Sequence, residues 1–267
     1  MKFGTRTQVL KQPAEGAFQV AQQIGFDGLE FDLTRDYKND ILWTKQGRQR
    51  LIDLSKETGV EIASVCLGAL WGQPFGSDDP DARARAKEIV TAAARFTPEL
   101  GAKVILVPIA GERDQPAHPA VERWIEGLRE CAPVAEASGA ILALENVGPS
   151  PASSAPEVLH VIEQVGSPAV RAYYDVGNGT SMGANAIDDL RLLKENLAQV
   201  HVKGARAAQL WENTLDMAAV ARTLKEIGYD GYLVFETRAT EDPAEGARRN
   251  LELLRQYVAE ANGALAR

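Results

Sequence analysis

Short apolar runs alternate along this chain with longer segments in which apolar residues recur three and four positions apart. The first pattern marks buried strands and the second amphipathic helices. Strands are expected at 2–6, 28–33, 61–67, 103–109, 140–146, 170–176, 198–203 and 231–237. Helices are expected at roughly 13–24, 44–57, 80–99, 119–137, 155–165, 186–196, 216–227 and 243–261. Glycine punctuates the alternation. Gly25, Gly59, Gly101, Gly139, Gly166 and Gly228 each follow a helical pattern and shortly precede an apolar run. Glycine accepts the left-handed conformation that closes a helix, so the chain repeats helix, glycine, strand. Strands that alternate with helices pair in parallel through right-handed crossovers. Eight such units predict an α/β fold, a closed (β/α)8 TIM barrel. The structural alternative, an open doubly wound sheet, usually carries a glycine-rich phosphate loop after its first strand, and GTRTQV is not one.

The connections are unequal. Those from helix to strand are a few residues long, whereas those from strand to helix are longer, at 67–79, 110–118, 146–154, 177–185 and 204–215. Barrel enzymes elaborate that face, at the C-terminal ends of the strands. Trp43, Trp71 and Trp211 fall in or beside these loops, where they would floor a substrate pocket, form a subunit contact or pack the loops. GNGTSMG at 177–183 reads as a pliant loop rather than a nucleotide cradle. The last stretch, from 241, reads as an amphipathic helix with a frayed end. The 267 residues suit one barrel of about 250, and no linker divides them, so 1–267 is expected to be a single domain.

Composition narrows the partners. A net charge of −8 repels phosphate backbones and disfavours nucleic acid. Cys66 lies in a strand-like run and Cys131 in a helix-like one, which fits reduced core residues and a reducing compartment. The first residues lack an apolar signal core, and no run reaches the roughly 18 apolar residues of a membrane span. A cytoplasmic protein without a membrane partner is the expectation.

The candidate chemistry lies at the strand ends. Glu145, Asp175, His201 and Glu236 close the runs AILALE, VRAYYD, AQVH and YLVFE. They are separated by 30, 26 and 35 residues, each one strand–helix unit, so strands five to eight supply one each. Residues two apart on a strand share a face, so Ala143, Tyr173, Gln199 and Val234 point inward with them. A lone buried carboxylate is costly, and three beside an imidazole are expected where a divalent cation compensates. Oxygen-rich ligands with one imidazole favour Mn2+ or Mg2+, with Co2+ next and Zn2+ less suited without sulfur. The bland alternative is four unrelated polar strand ends bonded to loops.

The segments ALENVG, YYDVGN, HVKG and YLVFETR, in that order and spacing, resemble the xylose-isomerase-like TIM-barrel superfamily. GFDGLEFD at 25–32 resembles its second strand, and DPDARARAKEIVTAAARFTPELGAKVILV its third helix and fourth strand. The resemblance covers nearly the whole chain. It implies a metal-dependent isomerase class of enzyme in carbohydrate metabolism, a sugar isomerase or ketose 3-epimerase, acting on a free or phosphorylated ketose. It implies Glu145, Asp175, His201 and Glu236 as ligands of one divalent metal, and Glu145 and Glu236 as the acid–base pair as well. In that chemistry one glutamate removes a proton beside the carbonyl to give a cis-enediolate, and the other returns a proton to the opposite face. Return to the adjacent carbon makes an isomerase instead. A dehydratase of a keto-sugar or keto-inositol begins in the same way and expels a hydroxyl. The AP endonucleases share the superfamily, but their trinuclear zinc site needs several more histidines than the three present. A non-catalytic sugar-binding protein would not need the intact ligand set. Relatives are commonly dimers, so a homo-oligomer is implied.

The chain departs from the family pattern at two points. Asp-x-Gly-His becomes Asp175-Val-Gly-Asn178, and Asn178 can bond a hydroxyl but cannot titrate near neutrality. His-x-Lys-Asp becomes His201-Val-Lys203-Gly204, which argues against a second metal there. Lys203 shares the parity of His201, so it meets substrate or a ligand carboxylate. Arg206 resembles the arginine that contacts the ketose in the epimerases; otherwise it is a solvated loop charge. Glu30 closes strand two on the same mouth, as a substrate contact, a support for another side chain or a surface carboxylate. Trp71 is a candidate pocket wall, and Arg6, Arg35 and Arg238 are candidate anion contacts. His118 and His160 lie at helix edges and are read as structural or surface residues.

Overall fold

The computed structural model describes residues 1–111, 117–148 and 150–264. Parts of the connections read at 110–118 and 146–154, and the frayed end after the last helix, lie outside the described residues. Eight parallel strands close into a barrel in chain order: β1 (Lys2–Arg6), β2 (Gly28–Asp32), β3 (Glu61–Cys66), β4 (Val104–Pro108), β5 (Ile141–Glu145), β6 (Val170–Asp175), β7 (Leu197–Val202) and β8 (Tyr232–Phe235). The helices are α1 (Thr7–Leu10), α2 (Ala14–Ile24), α3 (Lys45–Thr58), α4 (Pro80–Phe96), α5 (Ala117–Ser138), α6 (Ala155–Val165), α7 (Val176–Ser181), α8 (Ala186–Leu193), α9 (Met217–Glu226) and α10 (Pro243–Ala264). Among the described residues no helix is long and apolar enough to cross a membrane.

The local signals act as their chemistry requires. The six helix-stop glycines all have positive φ, from 70° at Gly166 to 94° at Gly25. Thr44, Asp79, Asn185 and Asp216 accept hydrogen bonds from first-turn amides of α3, α4, α8 and α9. Ser154 and Glu157 form a capping box on α6.

Strand parity divides the interior into two. Outward residues such as Leu29, Val65, Ile105, Leu142, Val200 and Phe235 pack under the helices in the main core. Inward, Cys66, Leu106, Ala143 and Tyr173 form a small apolar plug inside the barrel. Both cysteines are buried and free. At the β6–β7 boundary Asp175 pairs with His201, and His201 pairs with Val234 across the next ladder. This register brings the inward side chains of β5 to β8 to one height. β8 ends at Phe235, one residue before Glu236, but the Glu236 amide still donates to Val202 O at 3.3 Å.

One expectation is corrected. The stretch read as a pliant loop at 177–183 opens instead with α7 (Val176–Ser181). Two glycines lower its helix propensity, but capping and packing override that. Asp175 Oδ1 accepts from the Asn178 amide at 2.7 Å, and the Thr180 and Ser181 hydroxyls bond back to Val176 O and Gly177 O. Gly177 is there for close approach. A Cβ on it would stand 2.7 Å from Gly204 O and 2.9 Å from Lys203 O. Gly177→Ala is therefore expected to push α7 off the end of β7 and destabilise the fold by about 1–3 kcal/mol. Urea denaturation tests this, and an unchanged midpoint contradicts it.

Candidate metal centre

The site begins at the ends of β5 to β8. Glu145 and Asp175 are the last residues of β5 and β6, His201 is next to last on β7, and Glu236 follows β8. One ligand atom from each lies within 4.8 Å of all the others, a grouping that could hold a metal ion. The arrangement centres on one imidazole nitrogen. His201 Nδ1 is 3.2 Å from Glu145 Oε1, 3.4 Å from Glu236 Oε2 and 3.5 Å from Asp175 Oδ2. His201 and Asp175 are fully buried, and Glu145 nearly so.

Two cations border the group. Lys203 Nζ donates to Glu236 Oε2 and stands 2.8 Å from Asp175 Oδ2. That second contact is an ion pair without hydrogen-bond alignment, for Asp175 Oδ2 is buried and accepts no hydrogen bond. Arg6 donates to the other oxygen of Glu236 through Nη1, to Asp32 at 3.3 Å through Nη2, and lies 3.4 Å from Glu30 through Nε. Five carboxylates, Glu30, Asp32, Glu145, Asp175 and Glu236, thus face two permanent cations. The excess of three negative charges and the orphaned Asp175 oxygen fit a divalent cation.

The charges shift protonation in consistent directions. Burial alone would lower the His201 pKa, but Glu30, Asp175 and Glu145 raise it to about 10. Burial alone would raise Asp175, and Lys203 and His201 hold it below the usual range instead. Burial raises Asp32, which Arg6 only partly offsets.

Asn146 is a supporting residue that the sequence reading missed. Its Oδ1 accepts from the Asp175 amide at 2.7 Å, its Nδ2 donates to Asp175 O at 3.0 Å, and its own carbonyl accepts from Asn178 Nδ2 at 3.1 Å. It pins the end of β6 to the end of β5. Its place directly after Glu145 was the only signal. Asn178, read as a hydroxyl partner, spends its amide N–H on Asn146 and its backbone on Asp175.

The remaining candidates separate. Lys203 meets ligand carboxylates, as its parity required. Glu30, read as a substrate contact, a support for another side chain or a surface carboxylate, has no exposed surface and lies behind His201, with Oε1 3.0 Å from Nε2. The inward parity of β2 outweighs its charge because Arg6, Ser64 and Tyr173 compensate it. Arg6 is in the site but engaged with carboxylates. Arg206 is exposed, with φ 57°, and its backbone amide donates to Ser181 Oγ at 2.7 Å. Trp71 is 37% exposed on a turn after β3. Trp43 packs edge-on against Tyr37, and Trp211 lies under Arg249. Arg35 is exposed, and the exposed Arg238 pairs with Glu212. His118 and His160 are exposed on α5 and α6.

A family model described as xylose isomerase-like TIM barrel matches residues 18–257. An L-ribulose-5-phosphate 3-epimerase of Escherichia coli strain K12 is 28% identical over 253 residues, covering 91% of this chain and 89% of that protein. An L-ribulose 3-epimerase structure superposes with a TM-score of 0.87 at 22% identity, covering 99% of this chain and 97% of that one. A 3-keto-D-glucoside 4-epimerase structure from E. coli gives 0.84 at 23% identity, covering 96% of this chain and 99% of that one. At these identities the two structures establish likeness of fold.

The His201 shift has a testable sign. Without a bound cation the folded protein holds the His201 proton more tightly than the unfolded chain does. Its contribution to stability is then fully present below pH 6.5 and lost as pH rises through about 10. In EDTA the urea midpoint should fall across that window, and His201→Gln should flatten the fall. Equal pH dependence in the two proteins would contradict the assignment.

Proposed function

The chain belongs to the xylose isomerase-like TIM-barrel family, and we propose that it is a ketose epimerase that holds one divalent cation on Glu145, Asp175, His201 and Glu236. The observation that carries this reading is the convergence of four ligand atoms within 4.8 Å at the barrel mouth. Mn2+ suits three carboxylates and one imidazole best, Mg2+ and Co2+ also fit, and Zn2+ fits less well. Bound there, the cation would polarise the ketose carbonyl and a neighbouring hydroxyl, acidifying the hydrogen on the carbon beside the carbonyl.

Glu145 and Glu236 are the acid–base pair in this reading. They come from strands three apart around the barrel and meet different partners, Glu145 the imidazole and Glu236 Lys203 and Arg6. Such unequal surroundings suit complementary proton roles. One takes the proton from the carbon, and the other returns a proton to the opposite face, inverting that carbon through an enediolate of the sugar. Lys203 steadies Glu236 and faces the developing oxygen charge. Arg206, Asn178 and Trp71, in the segments after β7, β6 and β3, are the proposed contacts to the rest of the sugar.

The similar E. coli protein is a 3-epimerase of a phosphorylated ketose, which favours reprotonation over loss of a hydroxyl. After β7 and β8 only Gly204 offers a phosphate the backbone cradle common in barrels, so a phosphate would be met by arginine side chains. The substrate is therefore a ketose, free or phosphorylated. A cytoplasmic location and assembly into homo-oligomers belong to the same proposal.

Incubation of the Mn2+-loaded protein with ketoses, ketose phosphates and keto-inositols in D2O, followed by NMR, tests this. Deuterium should enter beside the carbonyl with inversion there, and Glu145→Gln and Glu236→Gln should each slow it by about 10²–10⁴-fold. Loss of water without a new epimer would point to the dehydratase chemistry, and absence of exchange across the whole panel would sink the proposal.

A further inference from the structure

A histidine that binds a metal through one ring nitrogen must carry its proton on the other, and the partner of that proton fixes both tautomer and ring orientation. In this site the partner is defined. His201 Nε2 faces Glu30 Oε1 at 3.0 Å, while Nδ1 faces the three other ligands. We propose that Glu30 is the positioning residue of the metal centre: it accepts the Nε2 proton of His201 and so presents Nδ1 to the cation. The inference rests on the metal-site reading above.

The surroundings of Glu30 allow it no other hydrogen-bonding role. Its Oε2 receives the Ser64 hydroxyl at 2.7 Å and the Tyr173 hydroxyl at 2.8 Å. Gln199 Nε2 donates to both of those oxygens, at 2.7 and 2.9 Å, so each hydroxyl hydrogen is directed at Glu30. Arg6 Nε stands 3.4 Å from Oε1. Once Nδ1 binds the cation, Nε2 must carry the ring proton, and each of these neighbours of Glu30 is then a donor. A carboxylate already held by two hydroxyl donors therefore sits behind the imidazole. The Tyr173 ring, with its centroid 4.5 Å from that of His201, limits rotation of the imidazole. The support spans β2, β3, β6 and β7, all held in one closed sheet.

A purely structural Glu30 would affect folding but leave metal affinity of the folded protein unchanged. Titration of Mn2+ by calorimetry separates the two. Glu30→Ala should weaken binding about 10–100-fold. Glu30→Gln, which keeps an acceptor oxygen, should lose less. Tyr173→Phe, which removes one donor to Glu30 and one acceptor of Gln199 but keeps the ring beside His201, should weaken binding a few-fold. In the Mg2+-loaded wild type a strongly downfield His201 Nε2–H signal is expected, moving upfield in Glu30→Gln, whose amide oxygen is the weaker acceptor. Should Glu30→Ala not fold, the other two variants decide. Wild-type affinity in folded Glu30→Gln and Tyr173→Phe overturns the inference. Failure of the wild type to bind Mn2+ is a distinct result, which overturns the metal-site reading and this role with it.

Discussion

Three carboxylates converge on one imidazole nitrogen inside a closed barrel, and that concentration of like charge is the constraint around which the rest of the site is organised. The ligand atoms lie within 4.8 Å of one another. A pair of like charges at such a range costs on the order of 3–4 kcal/mol at an effective dielectric of about 20. Arg6 and Lys203 relieve part of this through Glu236 and Asp175, but with Glu30 and Asp32 counted the five carboxylates still exceed the two cations by three, and one Asp175 oxygen accepts no hydrogen bond. A divalent cation meets both deficits together, which single hydrogen bonds to loops would not.

The fold holds the charges in place through devices unrelated to catalysis. The ladder between β6 and β7 sets Asp175 beside His201. Asn146 fastens the Asp175 backbone to the end of β5. α7 takes its cap from Asp175 Oδ1, so one carboxylate both starts a helix and turns its other oxygen to the site. Gly177 lets that helix approach the backbone at the end of β7 closely enough to face Lys203. Behind the imidazole, Glu30, Ser64, Tyr173 and Gln199 form a polar cluster that shares Tyr173 with the apolar plug of the barrel. The strand ends thus contribute the candidate ligands, and the residues two positions earlier on β6 and β7 bond to the carboxylate behind the imidazole or to its donors.

Most of the architecture was legible because it depends on short-range signals. The glycine stops, the two periodicities and the unequal connections each report a local conformational preference, and together they specify eight strand–helix units. The four ligand-type residues were legible for the same reason, since parity along each strand tells which side chains face inward. α7 was misread because its helicity comes from the Asp175 cap and from packing on β7, against the propensity of Gly177 and Gly179. Glu30 stayed open between substrate contact, support and surface carboxylate because parity places a residue inside but gives no depth. Its full burial depends on donors from three other strands, far away in sequence. Asn146 and the engagement of Arg6 likewise follow from barrel closure, which sets partners some 30 to 230 residues apart.

The central claim is that this barrel mouth holds one divalent cation with His201 bound through Nδ1. Anomalous diffraction from crystals of the Mn2+-loaded protein tests it most directly. The account predicts a single strong manganese peak in the mouth, within coordination distance of Glu145, Asp175, His201 Nδ1 and Glu236, with Glu30 still hydrogen-bonded to His201 Nε2. A peak coordinated by His201 Nε2, a peak elsewhere on the protein, or no peak in Mn2+-saturated crystals would contradict it.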